Sequence, residues 1–365
     1  MNLPQEGTVP DPRKPKPSNS LVKPITMSTI AKAADVSQGA ISSLLNDRDY
    51  GIRVSEKTRE RVFKVCRELG YIPNDLRAFV RMYPEHGDTC LLVSSKIAGG
   101  LSHPSVGLFA SAALASTRNL AIALYDEGRD YGTSSENLPP PLANGTASKF
   151  IVLGASNASL FKAIQRREHP LILVGQPALG PGTTGVLPDY AAAAHLALAQ
   201  FIQHGHCRVA IVGGPFGDAR LALLNHAISH ASQEFGLPMD AHNILQSDLS
   251  FAAGVAALDT LLARSPAPTA IFCLSEAAAC GVAAQALAKG IAVPKKLSIV
   301  ALADHTGTPP AVFALTTVVV PIEEIVVAAV KEADRQVRGA LPAEGYRITI
   351  GAKLCARESC GPVQK

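Results

Sequence analysis

Several clusters of side chains in this 365-residue chain have types and spacing that could do chemistry. The first is Ser37, Gln38, Gly39, Ser42 and Ser43, within TMSTIAKAADVSQGAISSLLN, Thr26 to Asn46. Small hydroxyl and amide groups at the start of an exposed helix suit the major groove of a duplex, where they bond base edges or phosphates. The second is His226, His230 and Glu234, at i, i+4 and i+8 on one helix face. That spacing could hold a metal ion, but the HExxH arrangement is missing, and the plainer reading is a solvated face. The third, GGPFG after the run RVAIV, departs from GxGxxG and gives little support to a dinucleotide site. The ten histidines form no Ser-His-Asp pattern, so neither an enzyme nor a cofactor is expected.

Capping and periodicity predict the elements that place the first cluster. Ile30, Ala33 and Ala34 give a first helix its inner face, Asp35-Val36 makes a turn, and Ser37 caps a second helix. From that helix Ala40, Ile41, Leu44 and Leu45 point inward. A third helix fits VSEKTRERVFKVCRELGY, with Ser55 as its cap and Gly70 as its stop. Its apolar face is Val62, Phe63, Cys66 and Leu69, and Arg59, Arg61 and Lys64 lie on its polar side.

Beyond Thr89 short apolar runs alternate with Ala/Leu-rich amphipathic stretches. The runs are CLLVSS, LAIALYD, KFIVLGAS, PLILVGQP, RVAIVGGP, TAIFCLS and KLSIVALAD. Runs this short read as buried parallel strands covered by helices on both faces, and two doubly wound α/β lobes accommodate them.

With 47% hydrophobic and 18% charged residues the chain reads as folded, and its length exceeds what one core usually organises. No apolar run reaches the roughly 18 residues that span a bilayer. The first residues also lack the apolar centre of a signal peptide, so a cytoplasmic protein without a membrane partner is expected. The seven cysteines form no CxxC pair and are odd in number, which argues against a disulfide framework or a zinc finger. Net charge is +4, unevenly spread: residues 1–81 hold 14 Lys and Arg against 9 Asp and Glu, and the remainder holds 20 against 21. A basic head favours a polyanionic partner, because neutralising phosphates releases condensed counterions.

Thr26 to Asn46, together with VSEKTRERVFKVCRELGYIPN, resembles the head of the LacI/GalR (lactose-repressor/galactose-repressor) family of bacterial transcription regulators. From Thr89 to Ser359 the chain resembles that family's core, most closely in LPDYAAAAHLALAQFIQHGHCRVAIVGGP, GIAVPKKLSIVALAD, LTTVVVPIEEI and ARES. The resemblance implies an α plus α/β fold class: an N-terminal three-helix helix-turn-helix head and a two-lobed, doubly wound, periplasmic-binding-protein-like core. The expected division is a disordered Pro-rich basic tail over 1–24, the head over 25–73, a hinge over 74–88 and the core over 89–365. Within the core, lobe 1 takes 89–187 and 317–340, and lobe 2 takes 188–316 and 341–360.

By the same resemblance the chain is a homodimeric repressor that binds double-stranded operator DNA, with a small-molecule effector, a sugar or related metabolite, between the lobes. DNA contacts fall to Thr26, Ser37, Gln38, Gly39, Ser42, Ser43, Asn46 and Tyr71, to Arg48 and Arg53 in a loop longer than the family's, and to Asn74, Arg77 and Val80 in the hinge. Val80 aligns with the side chain that wedges into the minor groove. Effector contacts fall to Ser94, Ser95, His103, Ser105, Arg220, Ser275 and Asp304. Two departures stand out. Ser43 replaces an arginine that could read guanine, and Ala303 replaces the first of two family carboxylates. Two other readings stay open: a constitutive or architectural regulator whose effector site has decayed, and a solute receptor without DNA function.

Overall fold

The computed structural model describes residues 25–46, 54–73, 75–97, 101, 103–116, 119–132, 137–213, 219–237, 243–303, 314–339 and 341–364. The expected tail over 1–24 lies outside them. The chain divides into two units, Met1–Met82 and Tyr83–Lys365.

In the first unit, helices start where side-chain oxygens satisfy their otherwise orphaned N–H groups. Thr26 caps α1 (Met27–Ala33), and Ser55 caps α3 (Glu56–Leu69), accepting from the Thr58 amide at 3.2 Å. Between them Ser37 opens α2 (Gln38–Asn46), its hydroxyl accepting from the Ala40 amide at 3.1 Å. Gly70 stops α3 in the left-handed region at φ 69°. Ile30, Ala34, Ile41, Leu45, Val62 and Cys66 are buried. One alanine differs from expectation: Ala31 is buried and Ala33 exposed, since an alanine-rich turn leaves the helical phase weakly marked. A fourth helix, α4 (Leu76–Met82), packs on α2 and α3, so the expected hinge over 74–88 is divided: its part up to Met82 belongs to the head unit and the rest, from Tyr83, to the second unit.

The second unit begins with a 3-10 turn, Pro84–His86, and builds two sheets. The chain runs β1 (Asp88–Ser94), α5 (Pro104–Ala115), β2 (Leu120–Tyr125), α6 (Pro140–Ala143), β3 (Ala147–Leu153), α7 (Ala158–Gln165), β4 (Leu171–Val174) and β5 (Thr183–Pro188). It crosses to the second sheet through α8 (Tyr190–Gln203), β6 (Val209–Val212), α9 (Ala219–Glu234), β7 (Ile244–Leu245), α10 (Phe251–Leu262), β8 (Ala270–Cys273), α11 (Glu276–Ala288), β9 (Ser298–Ala303) and β10 (Thr316–Val319). It returns in α12 (Ile322–Arg338) and β11 (Tyr346–Ile350), and ends in the second sheet with β12 (Lys353–Cys355).

The first sheet has the order β11-β5-β4-β3-β1-β2, all parallel, and the second β12-β10-β9-β8-β6-β7, parallel except for the β10–β12 pair. Every residue of β3, β4, β6 and β8 is buried, because helices cover both faces and apolar side chains are needed on each. Each of the seven runs picked out in the sequence contains a strand.

Two expected lobe boundaries are corrected. Thr316–Val319 pairs with β9 in the second sheet, so the second crossing follows Val319 rather than residue 316. Tyr346–Ile350 pairs with β5 in the first sheet, so the third crossing lies after Ile350 and not at 340. This edge strand is only half-covered and carries no continuous apolar run, which hides its partner from the sequence. β5 escaped notice because TTGVLP interrupts its apolar residues with Gly185. That glycine is required: a Cβ there would lie 2.4 Å from the Gln176 carbonyl.

Candidate functional site

In the head, Thr26 spends its hydroxyl on structure, accepting from the Thr29 amide at 3.3 Å and meeting the Thr29 hydroxyl at 3.0 Å. Asp35 takes the turn at φ 49°, and the Arg61 guanidinium braces it by donating to the Asp35 carbonyl at 3.4 Å. From the Ser37 cap onward, Gln38 is exposed and Gly39, Ser42 and Ser43 are half-exposed on the side of α2 opposite Ile41 and Leu45. The helix therefore presents an amide and small hydroxyls outward while Ala40, Ile41 and Leu45 are buried and Leu44 is half-buried. Lys57, Arg61 and Lys64 are exposed on α3, which adds positive charge to the unit. Tyr71 is half-buried behind α3, and burial raises its phenol above the usual value.

Asp75 caps α4, its carboxylate accepting from the Ala78 amide at 3.0 Å. Val80, expected to wedge into a groove, is 4% exposed and packs into the head beside Ala78 and Met82. Leu76 is instead the apolar side chain that α4 exposes, at 58%, with Arg77 exposed beside it. Arg67 and Arg81 fasten the helix, donating to the carbonyls of Met82 and Leu45, each at 3.2 Å. Arg48, Arg53 and Asn74 lie outside the described residues, as does the side chain of Asn46.

In the second unit a cavity of about 390 Å³ opens between the two sheets, at the carboxyl ends of their strands. Leu153 and Val174 end strands of the first sheet, and Leu302 and Ala303 come from β9 of the second. Crossing segments supply Pro188, Tyr190, Val320 and Ile322. The walls are mainly aliphatic. Polar groups enter from His103, Ser105, Tyr190, Ser275 and Glu276.

Of the expected effector residues, His103, Ser105 and Ser275 meet in this cavity. His103 caps α5, its Nδ1 accepting from the Ser105 amide at 3.3 Å. Ser275 caps α11, accepting from the Ala278 amide at 3.1 Å while donating to the Leu249 carbonyl at 2.7 Å. Ser94 does not line the cavity. It is fully buried at the end of β1, donating to the Glu127 carboxylate and accepting from the Lys96 amide at 3.1 Å. Gly154 makes this corner possible, since a Cβ there would stand 2.3 Å from Ser94 Cβ. Ser95 is exposed just beyond. Arg220 belongs to α9 with its side chain outside the described residues, and Asp304 lies outside them altogether.

The sequence reading missed Tyr190 and the aliphatic wall. The available signal was that Pro188-Asp189-Tyr190 and Val320-Pro321-Ile322 stand where the chain leaves one sheet for the other. His226, His230 and Glu234 are exposed on α9, and Glu234 pairs with His195 at 3.5 Å. Among the described residues no group of His, Cys, Asp and Glu could hold a metal ion, and no helix is long and apolar enough to cross a membrane.

Comparison with known proteins addresses both units. Residues 26–74 match the bacterial regulatory proteins of the lacI family, and residues 198–360 match the periplasmic binding protein-like domain. The chain is 28% identical over 348 residues to the HTH-type transcriptional regulator DegA of Bacillus subtilis, covering 93% of this chain and 98% of DegA. It is 27% identical over 319 residues to the HTH-type transcriptional repressor CytR of Escherichia coli, covering 82% and 86%. Among solved structures, a complex of the transcriptional regulator CelR with cellobiose aligns at TM-score 0.62 and 24% identity, over 92% of this chain and 99% of the other. The lac repressor dimer bound to operator and the anti-inducer ONPF aligns at TM-score 0.62 and 19% identity, over 93% and 100%. These likenesses give the fold. The matched segments and the relatives give more: the chain carries a lacI-family DNA-binding domain in its head and a periplasmic-binding-protein-like domain in its core, and the relatives that align along most of it are transcriptional regulators.

Proposed function

We propose that the protein is a cytoplasmic homodimer that binds an operator as a repressor, and that a small molecule in the cleft between the lobes sets its operator affinity. The observation that carries this reading is α2: capped by Ser37 and anchored by Ile41 and Leu45, it holds Gln38 and the small side chains Gly39, Ser42 and Ser43 outward. Such a helix admits close approach to base edges, and the lysines and arginines of the head supply the phosphate attraction. Two heads in a dimer read two half-sites of a pseudo-palindrome.

Dimerisation is supported by the first sheet's free edge. Ile122 and Leu124 of β2 are exposed, as is Leu114 of α5 at 78%, a helix apolar almost all round. In the hinge, Leu76 is better placed than Val80 to enter a minor groove while α4 stays docked. The lobes are joined by three crossings, and a ligand shifts them only by its differential affinity for two arrangements, so effector and operator affinities are reciprocally coupled.

The test is a gel shift of the full chain on the DNA upstream of its own and neighbouring genes, repeated across salt concentrations. Specific retardation that weakens linearly in log salt, and that Gln38→Ala and Ser42→Ala reduce, is the expected result. Absence of any specific complex would sink the regulator reading for this chain. A second reading, a constitutive regulator, is favoured by Ala303 in the cleft. It predicts an operator affinity that no metabolite changes.

A further inference from the structure

We infer that Lys32 grips a phosphate of the operator backbone beside the base edge that Gln38 meets, so that α1 as well as α2 fixes the register of the head on DNA. The inference rests on the reading that α2 enters the major groove, and it adds a residue that positions the helix there.

Placement comes first. Lys32 stands in the last turn of α1, and the short turn from Ala34 to Ser37 carries the chain into α2. A shallow groove along this junction is lined by Ser28 and Lys32 of α1, by Asp35 and Ser37 of the turn and by Gln38 at the start of α2. Lys32, Ser37 and Gln38 are exposed, whereas Ile30 is buried on the other side of α1. The cation and the amide therefore share one surface. Arg61 steadies it by donating to the Asp35 carbonyl at 3.4 Å. Residues 25–46 are described without a break, so α1, the turn and the first residues of α2 are all defined.

Charge decides what Lys32 does. Several other cations of the head are committed to protein groups: Arg59 to Glu56 and Lys64 to Glu68 on α3, and Arg67 and Arg81 to the carbonyls of Met82 and Leu45. The Lys32 ammonium makes no hydrogen bond or ion pair with a described residue, Asp35 in the same groove included. Lys57 and Arg77 are exposed as well, but they belong to α3 and α4. An ammonium is a compact point charge with three donors on a flexible stem, which suits a phosphate better than the planar edge of a base. In a helix-turn-helix the first helix crosses the backbone while the second enters the groove, which brings the end of α1 to a phosphate when Gln38 reaches a base. Such a contact positions without specifying. Discrimination then falls to the Gln38 amide, which can bond adenine in two places, and Lys32 supplies the charge that Ser43 does not.

The experiment is a gel shift of the full chain on the upstream fragment that it retards and on a random duplex of equal length, each from about 50 to 200 mM salt. Lys32→Met should weaken binding to both duplexes by a similar factor and lower the slope of log affinity against log salt by about 0.9 per head. With two heads bound, the unaltered chain then loses about ten-fold more affinity than the variant across that range. Lys32→Arg should keep the slope. Gln38→Ala should lower the ratio of specific to random binding and leave the slope unchanged. Because Lys32 is exposed, Lys32→Met should match the parent in helical signal and melting temperature; if it does not, Lys32→Gln takes its place. An unchanged slope in Lys32→Met, with specificity lost in Gln38→Ala, overturns the phosphate contact and leaves the reading of α2 standing. A lowered slope in Lys32→Met, with specificity intact in Gln38→Ala, keeps the contact and sinks the reading of α2 at Gln38. A lowered specificity ratio in Lys32→Met without a change of slope means that the ammonium meets a base, and the proposal falls. A full chain that retards neither duplex overturns both readings.

Discussion

Arg81 donates from its guanidinium to the carbonyl oxygen of Leu45 at 3.2 Å, which ties the last helix of the head to the end of the helix that carries Gln38, Ser42 and Ser43. Leu45 lies in the final turn of α2, where carbonyls lack partners within the helix. The bond therefore closes α2 at the end opposite the Ser37 cap, and it fixes α4 against α2 as well. Replacing Arg81 with Ala removes a charged donor from a half-buried position, a loss of about 1–2 kcal/mol in the stability of the head. Amide hydrogen exchange checks this: protection should fall in α2 and α4 and stay constant in β3 and β8. Unchanged protection in α2 would show that the bond does not hold the helix.

How much of this was legible in the sequence depends on distance along the chain. Ser37, Ser55 and Gly70 act on amides or carbonyls within a few residues, so their roles could be read from type and position alone. The strands with continuous apolar runs were legible for a similar reason. Ser94 was misplaced because its partner, Glu127, stands 33 residues away, and only the fold decides whether a hydroxyl faces a cleft or a neighbouring carboxylate. Val80 illustrates the same limit, since register with a family motif says which helix carries a side chain but not what that helix packs against. Beyond the known family positions, the cleft wall was illegible, because it gathers strand ends from two sheets and residues from the crossings between them.

The contact between α10 and α11 depends on a glycine in each helix. A Cβ at Gly254 would lie 2.0 Å from the Ala278 carbonyl oxygen, and one at Gly281 would lie 2.1 Å from that of Phe251. Both obstacles are backbone, so relief requires the helices to separate. Either Gly254→Ala or Gly281→Ala should cost about 2–3 kcal/mol, beyond any gain in helix propensity, as overpacking of a closed interface does. Chemical denaturation of the core reads this directly. A Gly254→Ala chain as stable as the parent would mean that the two helices have room to part.

Lys149 is fully buried in β3, and its ammonium meets the Asp334 carboxylate of α12 at 2.9 Å. Removing one partner leaves a charge in an apolar layer, whereas removing both does not. Lys149→Met alone is therefore expected to destabilise by about 3 kcal/mol, and Lys149→Met with Asp334→Leu to recover most of that loss. A double-mutant cycle from urea unfolding measures the coupling. If the two losses simply add, the pair contributes no interaction of its own.

His169 gives the core a stability that depends on pH. Burial, with a smaller contribution from Arg167, lowers its imidazole from the usual 6.5 to about 4, and its ring packs 5.5 Å from that of Phe150. His206 is shifted in the same direction, also mainly by burial, despite its bond to the Gly361 carbonyl. Since the folded state disfavours the protonated form, the unfolded chain binds more protons between pH 6.5 and 4. Stability is then full above the unfolded value and is lost as pH falls through that window. For His169 alone the loss between pH 7 and pH 5 is about 2 kcal/mol. Urea unfolding at the two pH values should show that loss, and His169→Gln should flatten the dependence by about the same amount while lowering stability at neutral pH through lost packing. A pH dependence unchanged by the substitution would mean that His169 takes up its proton in the folded state as readily as in the unfolded chain.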